Sequence, residues 1–119
     1  MNVIEVAQAI QDKIRLLENG RGQLEAAAKE VARTIAEYEK KVAITQIRIL
    51  NGEELELDGH KVKSPPATVM NNIVKGICWQ EKLATESAEK LYKTKIVKME
   101  SVQAELNGWQ SINRYLDIK

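Results

Sequence analysis

The sequence predicts a mainly α-helical protein in which two long antiparallel helices, joined by a small β-hairpin, form a helical hairpin that assembles into a multi-helix bundle. Apolar residues recur at heptad spacing in the first third of the chain, and near the middle this spacing changes to alternation. Aromatic residues make up only 4% of the composition, which is typical of long helices and coiled coils. With 119 residues, we expect a single domain over 1–119.

The first predicted helix covers residues 2–42. Alternating steps of four and three residues meet an apolar side chain at every position except Arg21. The positions are Val3, Ala7, Ile10, Ile14, Leu17, Arg21, Leu24, Ala28, Val31, Ile35, Tyr38 and Val42. One helix cannot bury such a narrow stripe, so the stripe must contact a helix of this chain or of another copy.

Two local signals bear on the continuity of this helix. Asn2 with Glu5 three residues later predicts a capping box at the start. Gly20 and Gly22 together cost a helix roughly 2 kcal/mol relative to alanine. Because the heptad keeps its phase beyond them, we expect a continuous helix, with a helix-turn-helix as the alternative.

Residues 43–63 are predicted to form a β-hairpin, because apolar and polar residues alternate over 46–49 and again over 54–57. Asn51-Gly52 supplies a turn between these segments, and Asp58-Gly59 supplies a second turn before a short third strand. A lone hairpin is marginally stable in water, so it must pack on a helix or pair with another chain.

The second predicted helix covers residues 65–115. Ser64 is the expected N-cap, and the prolines that follow suit a first helical turn. The apolar stripe slips by one residue after Lys95, which predicts a stutter in the coiled coil. Further apolar residues lie off this stripe, namely Trp79, Leu83, Tyr92 and Ile96. Two apolar surfaces on one helix predict self-association, most simply a dimer that forms a four-helix bundle.

Composition argues against several functional classes. A net charge of +1 gives no overall field for nucleic acid or for an anionic membrane, so neither is an expected partner. The only cysteine, Cys78, excludes an internal disulfide and suits a reducing compartment. No segment reads as a signal peptide or a membrane span, and we expect a cytoplasmic protein.

No enzyme or cofactor signature is present in the sequence. The sole histidine, His60, falls in a predicted turn without a partner nucleophile, and no metal-ligand spacing or phosphate-binding loop occurs. We therefore expect a protein that is not an enzyme and that carries neither a cofactor nor a metal ion. A lysine cluster at 90–98 is flanked by Glu86, Glu89 and Glu100, as is typical of a solvated helix face.

Five residues are the candidates for ligand binding. Arg21 is a cation within the apolar stripe, where its guanidinium would need a glutamate or a bound anion as its partner. The C-terminal segment combines aromatic, amide and guanidinium groups that could stack on a base or form a protein interface. Its candidates are Trp109, Gln110, Asn113 and Arg114. In an antiparallel hairpin, this segment and Arg21 could face a common cleft; alternatively, Trp109 simply packs a helix end.

Segments Ser64-Pro-Pro-Ala, Lys75-Gly-Ile-Cys-Trp and Asn107-Gly-Trp-Gln-Ser-Ile-Asn-Arg-Tyr resemble small uncharacterised helical-hairpin proteins carried by phages and mobile elements of Gram-positive bacteria. The resemblance covers mainly the second half of the chain and transfers no residue roles. It implies a protein that acts in the host cytoplasm by binding a host component.

Together these observations predict an oligomeric binding protein, phage-derived, that sequesters a protein of a host-defence pathway or a small anionic or nucleotide ligand. One alternative is a structural coiled-coil scaffold whose task is self-assembly. Another is a nucleic-acid-binding accessory protein of phage replication or recombination.

Overall fold

A computed structural model describes residues 2–118 of the chain. The protein is mainly helical, with two long helices and a shorter one. The elements, in chain order, are α1 (Val3–Leu50), β1 (Leu55–Leu57), β2 (His60–Val62), α2 (Ala67–Ile77) and α3 (Trp79–Ile118). The chain forms two compact units: unit 1 takes in residues 2–28 and 90–118, and unit 2 takes in residues 29–89.

Helix α1 begins with the predicted capping box. The Asn2 carboxamide oxygen accepts the Glu5 backbone N–H at 2.9 Å, and the Glu5 carboxylate accepts the Asn2 backbone N–H at 3.4 Å. The helix then continues through Gly20 and Gly22 without a break. The helix-turn-helix alternative is therefore wrong, and the cost of the two glycines is offset by packing along α1.

The predicted end of the first helix at residue 42 is wrong. The helix extends to Leu50, so residues 43–50 are helical and are not a strand. Gly52 ends it at a positive φ of 81°: its N–H donates to the Ile49 carbonyl, and the Glu53 N–H donates to the Arg48 carbonyl. This pair of hydrogen bonds is a Schellman motif, so Asn51-Gly52 caps a helix and does not connect two strands.

Asp58 and Gly59 form the turn of the actual hairpin, as the sequence predicted. Both have positive φ, 50° and 82°, as a type I′ turn requires, and Leu57 is paired with His60 across the turn. The segment expected as a third strand is therefore β2, the second strand of a two-stranded antiparallel sheet.

The second helix starts later than predicted and is interrupted. Ser64 has a positive φ of 47° and does not cap; Pro66 is the N-cap, without a side-chain hydrogen bond. A residue that precedes proline is disfavoured in the helical region, which delays the start of α2. The helix then breaks at Cys78, two residues after Gly76, a residue of low helix propensity.

The core of unit 2 joins α1, the hairpin and α2. Its buried members are Ile49, Leu55, Val74 and Cys78, with Tyr38, Val42, Met70 and Ile77 packed around them. A Cβ atom on Gly76 would lie 3.0 Å from the Leu57 Cδ2 atom, so the missing side chain lets the hairpin pack closely on α2. This contact supplies the support that a two-stranded sheet needs.

Candidate ligand-binding site

In unit 1, α1 and α3 run antiparallel and pack side by side. Lys13 forms an ion pair with Glu105, and Gly20 lies against Met99, so residue numbers rise along one helix as they fall along the other. A Cβ atom on Gly20 would be 3.2 Å from Met99 Cγ and 3.3 Å from Met99 Sδ. The glycine therefore gives the methionine side chain room between the two helices.

The buried stripe of α1 in unit 1 is partly offset from the predicted one. From Ala7 to Ala28, every second predicted position is exposed, and the residue before each of these exposed positions is buried or half-buried instead. Arg21 is accordingly exposed, and Gly20 takes its place in the interface. The interface positions are Val6, Ile10, Lys13, Leu17, Gly20, Leu24 and Ala27.

The buried stripe of α3 in unit 1 contains no stutter. Tyr92 occupies the position assigned to Leu91, whose side chain is 54% exposed, and the alternation of three and four residues then runs without a fault. The stripe consists of Tyr92, Lys95, Met99, Val102, Leu106, Trp109, Asn113 and Leu116. A lysine thus stands at a heptad position that normally holds an apolar residue.

A cavity of about 120 Å³ opens beside the contact between Gly20 and Met99. Its apolar part is formed by Leu16, Met99 and Val102. Its polar part consists of the carboxamides of Asn19 and Gln23 and the ammonium groups of Lys95 and Lys98. No carboxylate is among the residues that line it.

The two lysines of this cavity have no anionic partner among residues 2–118. Within residues 2–118, neither Lys95 nor Lys98 makes an ion pair or a side-chain hydrogen bond. The arrangement therefore combines two uncompensated positive charges, two hydrogen-bonding amides and an apolar surface. Chemically, it suits a small anion with an organic portion and contains no nucleophile paired with a base.

The five predicted ligand-binding residues divide into two groups. Trp109 and Asn113 lie in the interface with α1 and are half-buried, as is Gln110; Arg21 and Arg114 are exposed. Their positions do not decide whether these five residues bind a ligand, so ligand binding by them stays a prediction.

The expected common cleft between the two arginines is not formed. Arg21 lies eight residues beyond Lys13, whereas Arg114 lies nine residues beyond Glu105 in the opposite direction. At 1.5 Å rise per residue, the two positions are separated by about 25 Å along the helix pair. Each arginine would have to find a ligand independently of the other.

Unit 2 offers a second concave surface. It measures about 270 Å³ and is mainly apolar, and it lies between α1 and α2 beside Tyr38, Val42 and Val74. The Lys82 ammonium lies 5.4 Å from the centre of the Tyr38 ring, a cation–π contact. Lys41 pairs with Glu81 at 3.2 Å.

Buried polar groups in unit 2 are satisfied locally. The Thr45 hydroxyl donates to the Lys41 carbonyl at 2.7 Å and lies 3.6 Å from the Cys78 Sγ atom. Cys78 is completely buried. Such a cysteine packs as a small apolar residue.

Titratable groups give no further site. Over residues 2–118, no group of three or more His, Cys, Asp or Glu residues is placed to hold a metal ion, and His60 is exposed on β2. The Arg33 guanidinium bonds to Glu30 and Glu37, which lowers the pKa of the Glu30 carboxyl and raises the pKa of Arg33. This cluster lies on the exposed face of α1, where water solvates its charges.

The sequence did not identify the cavity residues as a site. Lys95 and Lys98 belong to the lysine cluster expected on a solvated face; Lys98 is exposed as expected, whereas Lys95 is half-buried. Asn19 and Gln23 carry no motif. The one signal in the sequence that pointed to this site was Lys95, a lysine at a heptad position. Lys13 occupies a comparable interface position on α1.

Comparison with known proteins adds no functional assignment. No protein-family model, curated protein or solved structure matches the chain. In the part of the chain that the structure describes, the helices are too polar or too short to cross a membrane.

Proposed function

We propose that this chain is a non-enzymatic binding protein that works as a homo-oligomer, in which the helices of several copies associate through their exposed apolar side chains. The supporting observation is an excess of exposed over buried apolar residues. Among the described residues, fourteen large apolar side chains are exposed, whereas nine hydrophobic residues are buried. A chain that leaves so much apolar surface in water gains stability by covering it.

The arrangement of the exposed residues in unit 1 favours a second copy as the partner. Ala7, Ile14, Arg21 and Ala28 are all exposed and are spaced seven residues apart on α1. A helix with a similar heptad repeat can cover such a stripe along its length. This chain itself supplies helices of that kind, and an interface between identical copies is the commonest form of association.

Arg21 sits within this exposed stripe and gives it a polar centre. In an oligomer, its guanidinium would need a carboxylate or a bound anion from the neighbouring copy. The C-terminal candidates, Trp109, Gln110, Asn113 and Arg114, would then act as part of a surface created by assembly. A host component is the proposed partner of that surface, in keeping with the resemblance to small phage proteins.

Sedimentation velocity of the purified protein tests this proposal. We expect the wild type to sediment as a dimer or a larger oligomer, and Ile14→Glu to shift it toward the monomer, because a charge at the interface cannot be desolvated cheaply. Ala26→Glu introduces the same charge on another, exposed side of α1 and should leave the oligomer intact. A wild type that sediments as a single chain at all concentrations would overturn the proposal.

A structural scaffold would share this behaviour in sedimentation. Affinity capture from a Gram-positive bacterial lysate distinguishes the two functions, with Trp109→Ala and Arg114→Ala as variants. Loss of a captured protein in these variants, with helicity and oligomeric state unchanged, supports binding of a host component. A wild type that captures no host protein leaves the scaffold as the better assignment, and capture that is the same for wild type and variants excludes Trp109 and Arg114 from the binding surface.

A further inference from the structure

We infer that the cavity beside Gly20 and Met99 binds a small phosphate monoester, whose phosphate lies between the ammonium groups of Lys95 and Lys98. The inference concerns a site within a single chain and does not depend on the oligomeric state. It would give this protein a small-molecule ligand at residues other than Arg21 and the C-terminal candidates.

The position of Lys95 is the first support. It occupies an interface position of the heptad on α3, where an apolar side chain would stabilise the helix pair more. Lys13, the comparable lysine on α1, is compensated there by Glu105. Lys95 has no such partner within the described residues, so its charge is left for a group that is not part of the chain.

The second support is the composition of the cavity wall. Lys98 adds a second ammonium group one helical turn from Lys95, and no carboxylate competes with an incoming anion. Two neighbouring positive charges favour a phosphate, which carries more negative charge at neutral pH than a carboxylate. A charge-assisted hydrogen bond from each lysine would hold it.

The remaining wall suits the organic part of the ligand. The carboxamides of Asn19 and Gln23 can donate and accept hydrogen bonds, which matches the hydroxyl groups of a sugar phosphate. Leu16 and Met99 offer apolar contact for its carbon atoms. A volume of about 120 Å³ is below the range of cavities that hold drug-sized ligands, which limits the ligand to a small molecule.

Gly20 keeps this space open. Met99 packs against the bare backbone at 3.2 Å from the position of a Cβ atom, so any side chain at residue 20 would push the methionine aside. Met99 lines the cavity, so a shift of this side chain would change the shape of the cavity wall. The helix-weakening glycine at this position is thus explained by the shape of the site.

Ribose 5-phosphate is the probe for the test, with calorimetry on the full chain and amide chemical shifts as readouts. We expect saturable binding that perturbs the amides of residues 19–23 and 95–102. Ribose, which lacks the phosphate, should not bind measurably. Inorganic phosphate should bind more weakly than ribose 5-phosphate, because it makes no contact with the amides or the apolar wall.

The variants separate a specific site from general surface charge. Lys95→Met and Lys98→Gln should each raise the dissociation constant at least about tenfold, since each removes a charge-assisted hydrogen bond. Lys93→Gln, an exposed lysine of the same helix that does not line the cavity, should leave it unchanged. Circular dichroism on each variant checks that the helices are intact.

Three results would overturn the inference. The first is no saturable binding of ribose 5-phosphate up to about 10 mM, a concentration beyond ordinary metabolite affinities. The second is an equal loss of affinity in all three lysine variants, which would indicate diffuse attraction by the helix surface. The third is binding that perturbs amides elsewhere and leaves residues 19–23 and 95–102 unchanged.

Discussion

Gly20 of α1 lies directly against Met99 of α3, with Met99 Cγ 3.2 Å from the place where a Cβ atom of residue 20 would stand. Gly22, one half-turn further along the same helix, has no neighbouring atom within 4 Å of its own Cβ position. The two glycines lower helix propensity equally, but Gly20 is in close contact with the partner helix and Gly22 faces open space. They therefore form a natural pair for separating propensity from packing.

Gly22→Ala should stabilise the protein by about 1 kcal/mol, which is the gain in helix propensity in open space. Gly20→Ala should gain clearly less, because its methyl group must displace Met99 by a few tenths of an ångström. Urea unfolding at matched protein concentration measures both. If Gly20→Ala gained as much as Gly22→Ala, the close contact with Met99 would not exist in solution.

Gly76→Ala should destabilise unit 2 by about 1 kcal/mol, because its methyl group would lie 3.0 Å from Leu57 Cδ2 and overpack the contact between the hairpin and α2. Thermal unfolding followed by circular dichroism measures the loss. In a Leu57→Ala background the methyl group meets no such atom, so Gly76→Ala should then be neutral or stabilising. A loss of the same size in both backgrounds would assign the effect to the helix backbone.

Cys78 should resist thiol reagents in the native protein, because its side chain is completely buried beside Thr45. Reaction with an aromatic disulfide reagent should follow the opening of the fold and become fast only in denaturant. Ser101→Cys adds a thiol at an exposed position of α3 as an internal control. We expect one fast and one slow thiol in that variant; two fast thiols would contradict the burial of Cys78.

Arg33→Gln should return the pKa of Glu30 toward its ordinary value, because the hydrogen bond from the Arg33 guanidinium is the main cause that lowers it. Carboxyl carbon resonances followed by NMR between pH 2 and 7 report the change. A carboxyl group whose pKa is lowered in the folded protein stabilises the fold at pH values above its ordinary pKa. This stabilisation is lost as the pH falls through the lowered pKa. Since Glu30 is fully exposed, salt should weaken this contribution, and Lys40→Gln should leave the Glu30 pKa unchanged.

Much of the helical architecture could be predicted from the sequence because periodicity reports it directly. The heptad correctly indicated a long first helix, and the Asn2 capping box and the Asp58-Gly59 turn are confirmed. Asn51-Gly52 was misassigned because the same dipeptide, with glycine at positive φ, ends a helix or turns a hairpin equally well. The four residues 46–49 are too short for their alternation to exclude a helix.

The exact interface could not be predicted, because apolar side chains border the true stripe on its exposed side. Ile14 and Ala28 are apolar, so the predicted stripe was more apolar than the real one, which includes Lys13 and Gly20. Only the partner helix decides between the two, through the Glu105 carboxylate and the Met99 side chain. The cavity depends on the same contacts, so the half-buried Lys95 could not be distinguished in the sequence from the exposed lysines around it.

Pairing between Lys13 and Glu105 also fixes how the two helices of unit 1 align. If α3 slid by one heptad, Lys13 would meet Lys98 in one direction and Ile112 in the other. The first alternative places two positive charges together, and the second places an unpaired ammonium group against a hydrocarbon side chain. A heptad repeat made only of aliphatic residues would tolerate both slips, so this ion pair favours one alignment of an otherwise repetitive interface.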